Sequence, residues 1–312
     1  MTKKYDILYI GVALIDSIIR GFDPTPVSAS GYRAVSGSLH VGGEAVNGSL
    51  AAAKLGKKTA ILCALGQDEA GDLVVHQLER EGVDTSLIRR SEHPTPVTTM
   101  FVREDGGRQS ITNQAHFYNF HPEQYLTEDL EVRALVIGSL FRAPFDDPEI
   151  IQKTLSFAKE KGIPVFCDTK LPNFRRLSLE DIAAALPLID WITPNEDEAR
   201  YYSGKETPEE MAEVFRQYGV KNVIIKLGEK GCYWKGETGS LRLPAFPIEA
   251  VDATGAGDNF LAGLVSELLN GSRIEEALRF ANACGAICTT AAGSSAALKD
   301  RKQVLGFLKE NG

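Results

Sequence analysis

The sequence predicts an α/β fold: a central, mainly parallel sheet flanked by helices on both faces, with a small β lid. Three observations predict it. Short apolar runs alternate with helical patterns from residue 5 to residue 225. Several of those helical patterns are closed by a glycine, as at Gly56, Gly82 and Gly162. Two segments, about 13–40 and 95–115, break the alternation and read as β structure rich in turn residues. Strands that alternate with helices build a parallel sheet covered on both faces.

In chain order, residues 5–12 are apolar and end at Gly11, which predicts a buried first strand. Residues 44–55 predict a helix with Ala45, Leu50, Ala51, Ala53 and Leu55 on its apolar face. Residues 59–65 predict a strand, and 69–81 an amphipathic helix. Residues 135–138 and 164–167 predict strands, with helices over 148–161 and 179–187. Strands at 191–192 and 223–225 follow, separated by helices over 196–202 and 208–218. Phe260, Leu261, Leu264, Val265, Leu268 and Leu269 recur at helical spacing, and another helix begins near Arg273. The first lid segment holds Pro24 and Pro26; the second holds β runs at 97–102 and 109–112 around Asp105-Gly106-Gly107, a hairpin signal. No repeat, low-complexity tract or linker divides the chain, so residues 1–312 are expected to form one domain.

Lys and Arg number 34 against 42 Asp and Glu, a formal charge of -8. Such a surface argues against nucleic acid and anionic membranes as partners, but not against a local phosphate pocket. The five cysteines (Cys63, Cys167, Cys232, Cys284, Cys288) are odd in number and scattered, as buried thiols of a reducing cytosol would be. Lys3 and Lys4 precede an apolar run, but Asp6 and Asp16 interrupt it and no small-residue cleavage site follows, so a strand is expected rather than a signal peptide. No stretch approaches a membrane span. A cytoplasmic protein is expected.

The chemistry concentrates in Val251-Asp-Ala-Thr-Gly-Ala-Gly-Asp-Asn-Phe260. Gly255-Ala256-Gly257 falls at a helix N-terminus, where free N–H groups and the positive dipole end favour an anion. Asp258 falls in the first turn. A carboxylate there can accept the proton of a hydroxyl that attacks a phosphoryl group, while the amides stabilise the charge that develops. An acidic residue in a first turn also stabilises any helix. Gly42-Gly43 before a helix allows close approach of a substrate to the backbone, and Asn47 offers both a donor and an acceptor to hydroxyls.

The 251–260 run closely resembles the C-terminal signature of the ribokinase (PfkB) family of carbohydrate kinases, D-T-x-G-A-G-D-x-F, departing only at Ala253. Gly42-Gly43-Glu-Ala-Val-Asn47 is similar to the family's N-terminal signature, and Thr193-Pro-Asn195-Glu-Asp-Glu198 to its N-x-x-E motif. The resemblance runs from Asp16 to Asn282 and implies a ribokinase-like fold and an ATP-dependent transfer to a primary hydroxyl of a sugar or sugar-like molecule. It implies Asp258 as general base, with Gly255, Ala256 and Gly257 as the anion hole, and Asp16, Gly42, Gly43 and Asn47 on the sugar. It implies Asn195 and Glu198 on Mg²⁺, partly through water, and Asn195, Lys226, Gly228, Gly231 and Asn282 around ATP. A monovalent cation, K⁺, is implied beside Asp252 and Thr254, its second half near residues 289–293. Family lids often mediate dimers, which implies a homodimer through the lid.

Departures leave the sugar open. Glu44 stands where ribokinase usually has Lys. Asp168-Thr-Lys170-Leu-Pro172 replaces a D-x-N-x-R run, and Asn113-Gln-Ala-His116 replaces Gly-Ala-Asn. Lys170, Arg103 and Arg142 are read as solvated charges in preference to contacts with an acidic substrate. A dinucleotide-binding dehydrogenase would need G-x-G-x-x-G after the first strand, where Gly11-Val-Ala-Leu stands instead. A P-loop enzyme would need the phosphate lysine that Gly43-Glu-Ala-Val-Asn-Gly48-Ser49 lacks. A nucleoside kinase of the same fold, and an inactive sugar-binding regulator, are the alternatives that stay open.

Overall fold

A computed structural model describes residues 3–21, 32–103, 107–113, 119–294 and 296–311. The chain runs through β1 (Tyr5–Ile10), β2 (Leu14–Arg20), β3 (Ser36–Gly42), α1 (Glu44–Lys54), β4 (Thr59–Leu62), β5 (Ala64–Gly66), α2 (Glu69–Arg80) and β6 (Arg89–Ser91). It continues through β7 (Val97–Val102), β8 (Arg108–Thr112), β9 (Val132–Leu140), α3 (Pro148–Glu160), β10 (Val165–Thr169), β11 (Trp191–Ile192), α4 (Glu196–Ser203) and α5 (Pro208–Gln217). β12 (Asn222–Lys226), β13 (Cys232–Gly236), β14 (Gly239–Leu243), α6 (Ala256–Leu269), α7 (Ile274–Cys288) and α8 (Arg301–Glu310) complete it.

An eight-stranded sheet has the order β14-β13-β12-β11-β10-β9-β1-β4. Its strands from β12 to β4 pair in parallel, and β13 and β14 add an antiparallel edge. Both faces are buried, which is why the strands read as continuous apolar runs. Ile7 and Tyr9 of β1 face a core shared with α1, α6 and α7; Leu8 and Ile10 face the opposite core with α3 and α5. Fully buried side chains such as Leu264 and Ile137 each contribute roughly 1.5–3 kcal/mol.

The two irregular segments meet in a second sheet of order β3-β2-β7-β8. β2 pairs with β3 antiparallel and with β7 parallel, and β7 pairs with β8 antiparallel. The lid expected from residues 13–40 and 95–115 is therefore one sheet built from both. Pro24, Pro26, Asp105, Gly106, Gln114, Ala115 and His116 lie outside the described residues. The lid's roots touch the main sheet closely. A Cβ on Gly43, whose φ is 96°, would lie 2.3 Å from the Val12 carbonyl oxygen.

Four elements differ from expectation. Residues 179–187 form no α-helix but two short 3₁₀ turns, 180–182 and 186–188; Pro187 removes the N–H an α-helix would need there. The strand expected over 59–65 divides at Cys63, and β5 leaves the main sheet to pair with β6. The β13–β14 hairpin and α8 were not expected: β14 alternates polar and apolar residues at the exposed margin, the buried run of β13 is only Cys232-Tyr233-Trp234, and α8 buries Val304 alone.

Candidate active site

The loops that leave the carboxyl ends of the parallel strands gather over one edge of the sheet, where ligands bind in open α/β folds. There β10 runs into Asp168-Thr169-Lys170, β12 ends at Lys226, and α6 begins.

Gly255 caps α6 with φ 78° and ψ 0°, in the left-handed region. A Cβ at that position would lie 2.7 Å from Ser294 Cα, so only glycine fits the turn. The Ala256 N–H bonds back to the Ala253 carbonyl at 3.2 Å, and the Asn259 N–H to the Gly255 carbonyl at 2.9 Å. The amides of Gly255, Gly257 and Asp258 have no acceptor among the described residues, so of the four amides of residues 255–258 expected from sequence only that of Ala256 is engaged. A Cβ on Gly257 would lie 2.9 Å from Lys226 Nζ, which places that ammonium over the helix end.

Asp258 is 8 % exposed, and its Oδ2 accepts from Asn47 Nδ2 at 2.9 Å. Asn47 Oδ1 in turn accepts from the Ser294 hydroxyl at 2.6 Å, so the loop after α7 orients the amide of α1 that holds the carboxylate. Burial raises the Asp258 carboxyl to about 6; Lys170 pulls it down, Glu44 pushes it up, and the Asn47 bond favours the anion. Asp16 is raised to about 6 as well, by burial and by Glu44. A Cβ on Gly42 would overlap the Asp16 carboxylate at 2.1 Å, so the absence of a side chain there makes room for that acid.

Two cavities meet at this edge. The larger, about 810 Å³, is lined by Gly257, Asp258, Lys226, Gly228, Gly231 and Asn282 among others, and includes Asn195. The smaller, about 170 Å³, lies under the lid and is lined by Glu44, Thr98, Thr112, Ser139 and Arg142 among others. Lys226 grips both oxygens of Asp168, at 2.7 and 2.8 Å. Asn195 and Glu198 form a reciprocal cap on α4, and Glu198 Oε2 also accepts from the Thr169 hydroxyl at 2.9 Å. Burial and the neighbouring Asp168 raise the Glu198 carboxyl, against the pull of Lys226 and Lys170. Among the described residues no three His, Cys, Asp or Glu side chains cluster as a metal site, so a dication here would rest on few protein oxygens and on water. Gly228 and Gly231 shape the turn after β12 with φ of 58° and 91°. Asn282 Nδ2 donates to the Pro244 carbonyl at 3.2 Å, which fixes its amide at the cavity wall.

Asp252 Oδ1 accepts from the Thr254 N–H and hydroxyl at 3.0 and 2.7 Å, and its Oδ2 from the Gly293 N–H at 3.2 Å. The two loops expected to share a cation are thus joined through this carboxylate.

Several residues here escaped sequence reasoning. Ser294 carried no motif, and Asp168 stood only in the run that departs from D-x-N-x-R, although its place at the carboxyl end of a parallel strand is itself a signal. Ser139 has a buried hydroxyl with no partner among the described residues and lines the lid-side cavity. Lys170 is not a solvated charge: its side chain is 25 % exposed and faces Glu44. Arg142 is half-buried at the lid-side cavity, while Arg103 is exposed as expected.

Comparison with known proteins follows the same lines. The model of the pfkB family of carbohydrate kinases matches residues 10–301. A ribokinase of Haemophilus influenzae is 30 % identical over 274 residues, covering 86 % of this chain and 87 % of that protein. A Thermotoga maritima ribokinase structure superposes with a TM-score of 0.80 at 28 % identity, covering 98 % of this chain and 99 % of that one. An E. coli protein solved in complex with ATP and Mg²⁺ superposes with a TM-score of 0.80 at 25 % identity, again covering 98 % and 99 %. With the fold, the glycine-capped helix and the matched span in agreement, this chain belongs to the pfkB family of carbohydrate kinases, and is an enzyme of that kind.

Proposed function

We propose that this kinase transfers the γ-phosphoryl group of ATP to a primary hydroxyl of a sugar or sugar-like acceptor, with Asp258 as general base. The observation that carries the reading is the position of Asp258: a buried carboxylate in the first turn of α6, bonded to Asn47, beside free amides and at the wall of the larger cavity. ATP occupies that cavity, its terminal phosphate against the Gly257 and Asp258 amides and Lys226, and its base toward Asn282 and the Gly228–Gly231 turn. The E. coli protein solved in complex with ATP and Mg²⁺ supports ATP and Mg²⁺ as the ligands of this fold. Mg²⁺ would be held near Asn195 and Glu198, partly through water, as its reluctance to dehydrate favours, and when bound would neutralise charge on the phosphates.

The acceptor lies under the lid, with hydroxyls on Asp16, Asn47 and the Gly42–Gly43 backbone. Asp258 takes the proton from the attacking hydroxyl, and the amides stabilise the charge on the group in transit. Closure of the lid excludes water that would otherwise accept the phosphoryl group. K⁺ is proposed between Asp252–Thr254 and the 289–293 loop, where oxygen donors gather; comparing activity in K⁺ and Na⁺ checks it. The five thiols are free and buried, which suits a reducing cytosol. The lid sheet exposes Leu39 and Ile111, 63 % and 71 % accessible, and supports pairing of two copies through the lid; Leu39→Lys with Ile111→Lys then yields a monomer by light scattering.

The deciding experiment is an ATP-consumption screen over pentoses, hexoses, keto-sugar acids and nucleosides, with the product read by ³¹P NMR. Phosphorylation of a nucleoside alone moves the reading to a nucleoside kinase. No acceptor at all, with ATP bound and the fold intact, overturns it in favour of a regulator.

A further inference from the structure

Lys170 follows β10 at the junction of the two cavities. It lines the larger one with Gly257, Asp258 and Lys226, while its partner Glu44 lines the one under the lid. A lysine only 25 % exposed is uncommon unless it is paired. Its main chain is fixed from two sides: its N–H donates to the Leu140 carbonyl at 3.0 Å, and its carbonyl accepts from the Tyr202 hydroxyl at 2.7 Å. Tyr202 stacks on Phe141 with ring centroids 4.0 Å apart, and Phe141 has φ 74°, a costly conformation for a bulky residue that only firm packing sustains.

The ammonium itself is not spent. Its distance to Glu44 Oε1 is 4.0 Å, the outer limit of an ion pair. Lys226, by contrast, is clamped on Asp168 at 2.7 Å. Four carboxylates (Glu44, Asp168, Glu198 and Asp258) converge with these two lysines, so the site is short of positive charge before any polyphosphate enters.

We propose that Lys170 is a catalytic cation of the transfer step, its ammonium binding an oxygen of the phosphoryl group in transit, and that Glu44 is the residue that positions it. This rests on the phosphotransfer reading above. As the acceptor O–P bond forms, the bridging P–O bond of ATP breaks and ADP leaves with that electron pair. The acceptor proton goes to Asp258, and Lys170 keeps its own protons throughout. Burial would weaken the ammonium, but Asp258, Glu44 and Asp168 outweigh it and keep Lys170 protonated. The groups that face Asp258 are Asn47 and Glu44 from α1, Lys170 and Asp168 from the end of β10, Lys226 from β12, Tyr9 from β1 and Cys288 from α7. Beside the dominant effect of burial, Lys170 favours the ionised base, whereas Glu44 and Asp168 oppose it.

The test uses Lys170→Met, Lys170→Arg and Glu44→Gln in the full chain. Lys170→Met should lower kcat by ~10²–10³-fold, the usual effect of losing one transition-state donor, with KM for ATP within about threefold of wild type. Lys170→Arg should recover most of that loss. The Asp258 carboxyl, followed by ¹³C NMR, should titrate at higher pH in Lys170→Met and at lower pH in Glu44→Gln, which checks that both charges face the base, while the fall in kcat at unchanged KM for ATP, recovered by Lys170→Arg, is what a merely structural lysine would not produce. Turnover of Lys170→Met within about threefold of wild type, or an Asp258 transition unmoved in both variants, overturns the proposal. If Lys170→Met fails to fold by circular dichroism, Glu44→Gln decides through kcat, which should fall several-fold at unchanged KM for ATP as the ammonium loses its positioning partner; an unchanged kcat there overturns the proposal. Asp258→Asn separates the two claims: full turnover there sinks the phosphotransfer reading, whereas a dead Asp258→Asn beside an active Lys170→Met sinks only the role of Lys170.

Discussion

Asp258 is under opposed demands, because a base must be ionised to work and burial resists ionisation. Its carboxyl is raised to about 6, so kcat/KM should fall as pH drops through that value. Asp16 titrates in the same range, and it too must be ionised to accept sugar hydroxyls fully. The acid limb of a log(kcat/KM) plot should therefore approach a slope of about 2, and return to about 1 in Asp16→Asn. A slope of one in the wild type removes Asp16 from the binding step. Asp258→Asn should cut turnover by ~10²–10⁴-fold. The same variant should be more stable. A carboxyl raised in the folded state binds more protons folded than unfolded between about pH 4 and 6, so wild-type stability falls as pH rises through that window. At pH 7.5 Asp258→Asn should gain ~1–3 kcal/mol in urea unfolding, and the gain should vanish toward pH 4. Equal stabilities at both pH values would mean that the carboxylate is not strained by burial.

At the scale of elements, the N-terminus of α6 separates two glycines with different duties. Gly255 has a left-handed φ, and a methyl there meets Ser294 main chain at 2.7 Å. Gly255→Ala should cost ~1–3 kcal/mol of stability by thermal melting, and activity with it. Gly257 is helical, and a methyl there meets only the flexible end of Lys226 at 2.9 Å. Gly257→Ala should fold normally and raise KM for ATP roughly tenfold, by crowding the anion cradle. If both variants melt alike, the division is wrong. Much of this element was legible in sequence, because glycines before an apolar helical stripe specify a cap, and a cap specifies an anion site. What stayed hidden was non-local. The bond from Asn47 to Asp258 spans 211 residues, and nothing near either residue announces the other. Lys170 looked solvated because only Asp168 among the carboxylates around it is near in sequence; Glu44, Glu198 and Asp258 come from α1, α4 and α6. The 3₁₀ turns at 180–188 were missed because apolar spacing outweighed Pro187.

For the molecule as a whole, the strand–helix rhythm gave the parallel sheet, and its two interruptions gave the lid. The antiparallel β13–β14 edge was not legible, since β14 at the margin is largely exposed and leaves a weak pattern, and the buried run of β13, Cys232-Tyr233-Trp234, is too short to read by itself. Ligand linkage offers a global check on function. ATP with Mg²⁺ at about 100 times its Kd should add ~2.7 kcal/mol to the unfolding free energy, in wild type and in Asp258→Asn alike. A missing increment in the variant would mean that Asp258 serves binding rather than chemistry. The contact between Gly43 and Val12 sets how closely the two roots of the lid lie. The chain leaves for the lid at Val12 and returns from it at Gly43, and a methyl group added at Gly43 would lie 2.3 Å from the Val12 carbonyl oxygen. Any side chain at residue 43 would therefore act as a wedge between the outgoing and incoming backbone, so the seat of the lid depends on a position that carries no side chain at all.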